Sequence, residues 1–112
     1  MGIPPDIRVL RTDHNLSIEL RRKVALFCNV EPDAVIQSID VPSIYEVPLK
    51  MQEQKLDEIV LRKTGMEVGP LPELKPWREF LSHMQNANET VRIGLVGKYL
   101  QLHDAYKSIN EH

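Results

Sequence analysis

The sequence predicts an α/β fold made of parallel-sheet βα units. Two short runs rich in β-branched residues, 6–11 and 34–39, bracket an amphipathic stretch over 18–28. Strand, helix and strand at that spacing describe a βαβ unit, because parallel neighbours need a long crossover between them. Hydrophobic residues make up 42% of the 112 residues and charged residues 27%, which fits one small domain or parts of two.

Each element has its own signal. Pro4 and Pro5 give a turn signal before the first strand at 6–11. Asn15 or Ser17 is placed to cap a helix over Ile18–Cys28, and Glu19 suits its positive N-terminal end. Leu16, Leu20, Val24 and Phe27 recur at helical spacing, so they are the expected buried stripe. Pro32 and Asp33 break the chain before the second strand at 34–39. Pro42 and Pro48 predict a loop over 41–49 with at most one turn. Leu56, Ile59, Val60 and Lys63 mark another helix, which Gly65 is placed to end.

The segment Gly69-Pro70-Leu71-Pro72 reads as a semi-rigid linker. Pro76 suits the first turn of a helix in which Trp77, Phe80, Leu81 and Met84 form one stripe, and residues 86–88 end it. Residues 91–97 have a strand pattern running into a glycine turn, and the opening of a helix is expected from Leu102 onward. The chain therefore reads as the end of one α/β domain, a linker, and the first βα unit of another.

Several function classes are disfavoured. A formal net charge of -2 argues against a general electrostatic grip on nucleic acid. No apolar stretch is long enough to span a bilayer and the N-terminus lacks a signal-peptide pattern, so a soluble cytoplasmic protein is expected. The single cysteine, Cys28, excludes an internal disulfide and reads as a structural thiol. His14, His83, His103 and His112 show no metal-ligand spacing, so no metal site is predicted. Glu46, Glu53, Asp57 and Glu58 form no supported acid-base pair. Gly94 to Tyr99 is not a phosphate loop: only Leu95 and Val96 separate the glycines, and Tyr99 stands where serine or threonine would hold magnesium.

Two places merit closer weighing. With Leu20, Val24 and Phe27 taken as the buried direction, helical geometry puts Lys23 only ~60° away. At that rim it either snorkels over apolar surface or offers a mobile ammonium to a ligand. Ile39, Asp40 and Val41 follow a strand end, where open parallel sheets bind ligands. Asp40 is either an ordinary turn aspartate or an acceptor for a base amino group.

The segments PDIRVLRTD (5–13), RRKVALFCNV (21–30), IDVPSIYEVPL (39–49) and VRIGLVGKYLQLHDAYKS (91–108) carry a further signal. In order and spacing the chain resembles CTP synthase, from late in the synthetase domain to the start of the glutaminase domain. The resemblance implies ATP-dependent amination of UTP to CTP with glutamine-derived ammonia. It implies that Lys23 contacts UTP or CTP, and that Ile39, Asp40 and Val41, with Arg11 beside them, hold the adenine of ATP. At Ile39 a backbone role is expected, because the family usually has a lysine or another polar residue there.

The same resemblance implies the end of a P-loop-like amidoligase domain over 1–66, a linker with a helix over 67–90, and the start of a glutamine amidotransferase domain over 91–112. ATP and Mg2+ are the cofactors, and UTP, CTP and glutamine the ligands, of the intact family, which resembles a homotetramer. The family's phosphate loop, magnesium-binding acids and glutaminase triad are expected outside residues 1–112, so the chain alone is expected to be inactive. The other reading is a small non-catalytic interaction module. Ser108 to His112 departs from the apolar helix that the family continues with.

Overall fold

The computed structural model describes residues 2–110. Strand β1 (Arg8–Thr12) and strand β2 (Val35–Ile39) pair in parallel, with Arg8 opposite Val35 and Thr12 opposite Ile39. Helix α1 (Ile18–Cys28) makes the crossover. This is the βαβ unit that the spacing predicts, and both strands begin within two residues of the expected positions.

Local chemistry explains the limits of α1. Ser17, rather than Asn15, is its N-cap: the side-chain oxygen accepts from the Leu20 N–H at 3.2 Å. At the other end Asn29 takes a left-handed conformation (φ 53°), and Val30 N–H donates to the Ala25 carbonyl. Asparagine tolerates that conformation better than most residues, and it closes the helix as glycine commonly does.

The buried side of α1 differs from the expected stripe. Phe27 is 88% exposed, Leu26 82% and Leu20 45%. Ala25 is the buried residue, flanked on the same face by half-buried Arg21, Val24 and Cys28. A small residue at the centre lets the helix approach the sheet closely, and the Arg21 guanidinium donates to the Val35 carbonyl. Helical periodicity fits more than one stripe here, and the sheet selects the one whose small residue allows close contact.

After β2 the chain is more helical than the prolines suggest. A 3₁₀ turn at Ile44–Glu46 leads directly into helix α2 (Val47–Glu53). Pro48 falls in the first turn of α2, where its missing N–H costs nothing, so it starts a helix instead of breaking one. Helix α3 (Leu56–Lys63) follows and buries Ile59. Gly65 (φ 72°) ends it: Gly65 N–H donates to Arg62 and Met66 N–H to Leu61, the paired bonds of a Schellman motif. Ala34, Ile36 and Ile59 form the small core, with Ile7, Val30, Met51 and Leu56 packed against it.

Helix α4 (Lys75–Gln85) has Pro76 in its first turn. Leu81 is buried, and the Trp77 indole donates to the Tyr45 carbonyl at 2.7 Å. The Tyr45 ring meets Phe80 edge-on at 5.5 Å, and the Trp77 and Phe80 centroids also lie 5.5 Å apart. The predicted stripe thus packs on the 3₁₀ turn at 44–46. The Gln52 side chain donates to the Pro72 carbonyl and holds the segment before α4 beside α2.

Residues 91–97 form no strand. A strand needs a neighbour for its backbone groups, and no described residue supplies one. Beyond them come a 3₁₀ turn at His103–Tyr106 and the short helix α5 (Lys107–Asn110). The Tyr106 hydroxyl donates to the Lys98 carbonyl at 2.7 Å and lies so close to Gly97 that a side chain there would collide with it. The expected βα unit of a second domain is therefore not assembled among the described residues, and the divergent Glu111 and His112 lie outside them.

Candidate functional site

In a parallel sheet every strand ends at the same edge, so β1 and β2 deliver the residues after Thr12 and Ile39 to one rim. There the Asp40 N–H donates to the Thr12 carbonyl at 3.2 Å, which continues the ladder one step past β2. The Arg11 Nε lies 3.4 Å from the Asp40 carboxylate. Both side chains are largely in solvent, so the pair orients groups more than it stabilises the fold, contributing about 0–1 kcal/mol. Ile39 and Val41 are half-buried on either side of the exposed Asp40.

The loop leaving β1 is tied to this rim. The Thr12 hydroxyl donates to the His14 carbonyl and accepts from the His14 N–H. The Gln37 side chain reaches from β2, accepting from Leu16 N–H at 2.9 Å and donating to the Asn15 side chain at 2.9 Å. Gln37 carried no functional signal in the sequence, because a glutamine in a strand is recognisable as a loop anchor only once the register places it.

Arg11, Ile39, Asp40 and Val41, predicted together, are brought together. Lys23 is not joined to them. It stands ~160° around α1 from the buried Ala25 and is exposed. Among the described residues its side chain makes no hydrogen bond or ion pair. The geometry that put Lys23 at the edge of the buried face rested on Leu20 and Phe27, and it is revised with them. Lys23 shares the outer face of α1 with Leu26 and Phe27.

A separate open cleft of about 480 Å³ is lined by Arg21, Arg22, Asp33, Lys55 and Arg62, and includes none of the predicted site residues. The Arg62 guanidinium is already paired with Asp33 at 3.2 Å. Among the described residues no group of three histidine, cysteine, aspartate or glutamate side chains is disposed to hold a metal. Asp13 and Asp40 are the acids that directly follow the two strands, and Asp40 faces Arg11. Among the described residues no helix is long and apolar enough to cross a membrane.

A parallel βαβ unit with polar groups gathered at the carboxyl ends of its strands defines an α/β protein, and in open parallel sheets that rim is where ligands generally bind. Residues 1–66 match the family described as CTP synthase N-terminus. The chain is 62% identical over 111 residues to a CTP synthase of Porphyromonas gingivalis, 61% to one of Bacteroides fragilis and 47% to one of Levilactobacillus brevis. Each alignment takes in 99% of this chain and 21% of the relative, so the chain spans about a fifth of the length of these relatives. The chain belongs to the CTP synthase family.

Proposed function

We propose that this chain carries the adenine-binding rim of an ATP-dependent ligase that aminates UTP to CTP with ammonia from glutamine. The convergence of Arg11 and Asp40 at the carboxyl end of the β1–β2 pair carries this reading. Asp40 accepts a hydrogen bond from the exocyclic amino group of adenine, and the backbone at Ile39 and Val41 meets the base edge. Arg11 packs on the face of the base, where a planar guanidinium stacks well. Guanine carries a carbonyl where adenine carries that amino group, so an acceptor at this point selects ATP over GTP.

Lys23 serves the pyrimidine nucleotide, UTP or its product CTP. Among the described residues its ammonium meets no partner, and its helix face points away from the sheet, which suits a ligand held partly by chain outside these residues. When bound, ATP with Mg2+ supplies the phosphoryl group that activates the uracil oxygen for displacement by ammonia. This chain orients nucleotides for that chemistry and is inactive alone. In the same reading residues 1–66 close the amidoligase domain, 67–90 form the linker, and 91–112 begin the glutaminase. The working enzyme is a cytoplasmic homotetramer.

A second reading has its own observation: Leu26 and Phe27 stand 82% and 88% exposed on one helix face. Apolar side chains so placed suit a protein-interaction module that needs no nucleotide. An amide NMR titration of the chain with ATP and Mg2+, and separately with CTP, distinguishes the two. Shifts confined to Arg11 and 39–41 with ATP, and to Lys23 with CTP, are expected. Dispersed peaks indifferent to both nucleotides would favour the interaction module.

A further inference from the structure

A closed circuit of hydrogen bonds joins the two strand ends at the rim, and Gln37 starts it. The Gln37 side chain leaves β2 shortly before its end and crosses to the loop that leaves β1. Its Oε1 accepts from Leu16 N–H and its Nε2 donates to the Asn15 Oδ1, each at 2.9 Å. The loop then runs back to Thr12, whose hydroxyl accepts from His14 N–H at 3.3 Å and donates to the His14 carbonyl at 2.8 Å. The Thr12 carbonyl accepts from Asp40 N–H, on the strand end that carries Gln37. The circuit therefore opens and closes on one stretch, 37–40.

Asp13, His14 and Asn15 are exposed, so hydrogen bonds rather than burial set the path of this loop. Gln37 is suited to hold it. It is half-buried, both halves of its amide are engaged, and its own N–H is met by the Gln54 Oε1 at 2.8 Å.

We propose that Gln37 is a positioning residue for the nucleotide at this rim: by tying residues 15–16 to β2 it fixes the loop that leads back through Thr12 to Asp40. The inference rests on the adenine-binding reading above. A nucleotide seated against Arg11 and Asp40 meets a loop already in place. Without the tie, that loop must be ordered on binding, and the ordering is subtracted from affinity. Helix α1 is held to the sheet independently, by Ala25 and by Arg21 on the Val35 carbonyl, so Lys23 keeps its place when the tie is lost.

The test uses a full-length enzyme carrying this segment. Gln37→Ala is expected to speed hydrogen–deuterium exchange of the Leu16 amide at least about tenfold. Arg21, whose N–H donates to the Ser17 carbonyl, is expected to keep its protection. The KM for ATP is expected to rise about tenfold, with kcat and the KM for UTP within about twofold of the parent. A fold merely loosened would move all three. Gln37→Glu still accepts from Leu16 N–H and, with the Asn15 amide turned round, accepts from that too, so it is expected to recover most of the ATP affinity lost in Q37A. Adding Asn15→Asp to Q37E sets two carboxylates face to face and is expected to lose it again.

Unchanged Leu16 exchange in Q37A overturns the tie. Should Q37A fail to fold, equal ATP constants in Q37E with and without Asn15→Asp overturn it instead. Faster Leu16 exchange with an unchanged KM for ATP overturns the positioning role, and so does a rise shared equally by ATP and UTP. Asp40→Ala in the same enzyme separates the two levels. Lost preference for ATP in that variant, beside any of these results, leaves the adenine reading intact and removes this inference alone; retained preference removes both.

Discussion

At the scale of single residues, Asp40 and Lys23 make opposite kinds of claim. Asp40 has a partner, Arg11, at a place where the fold gathers polar groups. In a full-length enzyme carrying this segment, Asp40→Ala is expected to bring ATP and GTP use close to equal, as read from kcat/KM for each nucleotide. The melting temperature should barely move, because an exposed ion pair contributes about 0–1 kcal/mol. Retained preference for ATP would remove Asp40 from base recognition. Lys23 is exposed and has no partner among the described residues. Lys23→Ala in the same enzyme is expected to raise the KM for UTP about tenfold and to weaken CTP inhibition, with folding unaffected. Unchanged constants for both nucleotides would leave Lys23 as a solvated lysine.

Elements were legible where a single local rule decides them. The start of α1 follows from the Ser17 cap and the end of α3 from Gly65, while the left-handed Asn29 that closes α1 emerged from the structure. Ser17→Ala is expected to cost about 1 kcal/mol, measured by urea denaturation. Asn29→Gly is expected to be neutral or slightly stabilising, because glycine takes φ 53° without strain. A loss of more than ~1 kcal/mol at Asn29→Gly would mean that its side chain has a further role. Elements were missed where one residue type has two uses. Pro48 breaks a helix interior but opens a helix, and only the 3₁₀ turn at Ile44–Glu46 shows which use applies. Residues 91–97 have the composition of a strand, yet composition cannot supply the neighbour that a strand needs.

The whole molecule is extended for its length. Its radius of gyration is 18.5 Å, whereas a compact chain of this size has about 13 Å. Among the described residues the buried ones are few, namely Ala25, Ala34, Val35, Ile36, Ile59 and Leu81. Helix α4 is held largely by Trp77 and Phe80 around Tyr45, with Leu81 buried beneath it. Trp77→Phe removes the indole bond to the Tyr45 carbonyl but keeps a ring, with an expected cost of about 1 kcal/mol. Trp77→Ala is expected to cost about 3 kcal/mol or more and to release α4, seen as an increased radius of gyration in small-angle scattering. An unchanged radius in Trp77→Ala would show that Leu81 and the linker bond from Gln52 suffice.

Read by itself, the sequence determined the βαβ order, the limits of α1, the end of α3 and the aromatic helix α4. Capping atoms, backbone preferences and apolar spacing act over a few residues, so neighbours along the chain are enough to decide them. Only the tertiary structure decided that Ala25 and not Phe27 faces the sheet, that Lys23 therefore points outward, that Arg11 meets Asp40, and that Gln37 anchors the loop before α1. Each depends on a partner 10 to 40 residues away, and a helix with two acceptable apolar stripes takes its inner side from the surface it meets.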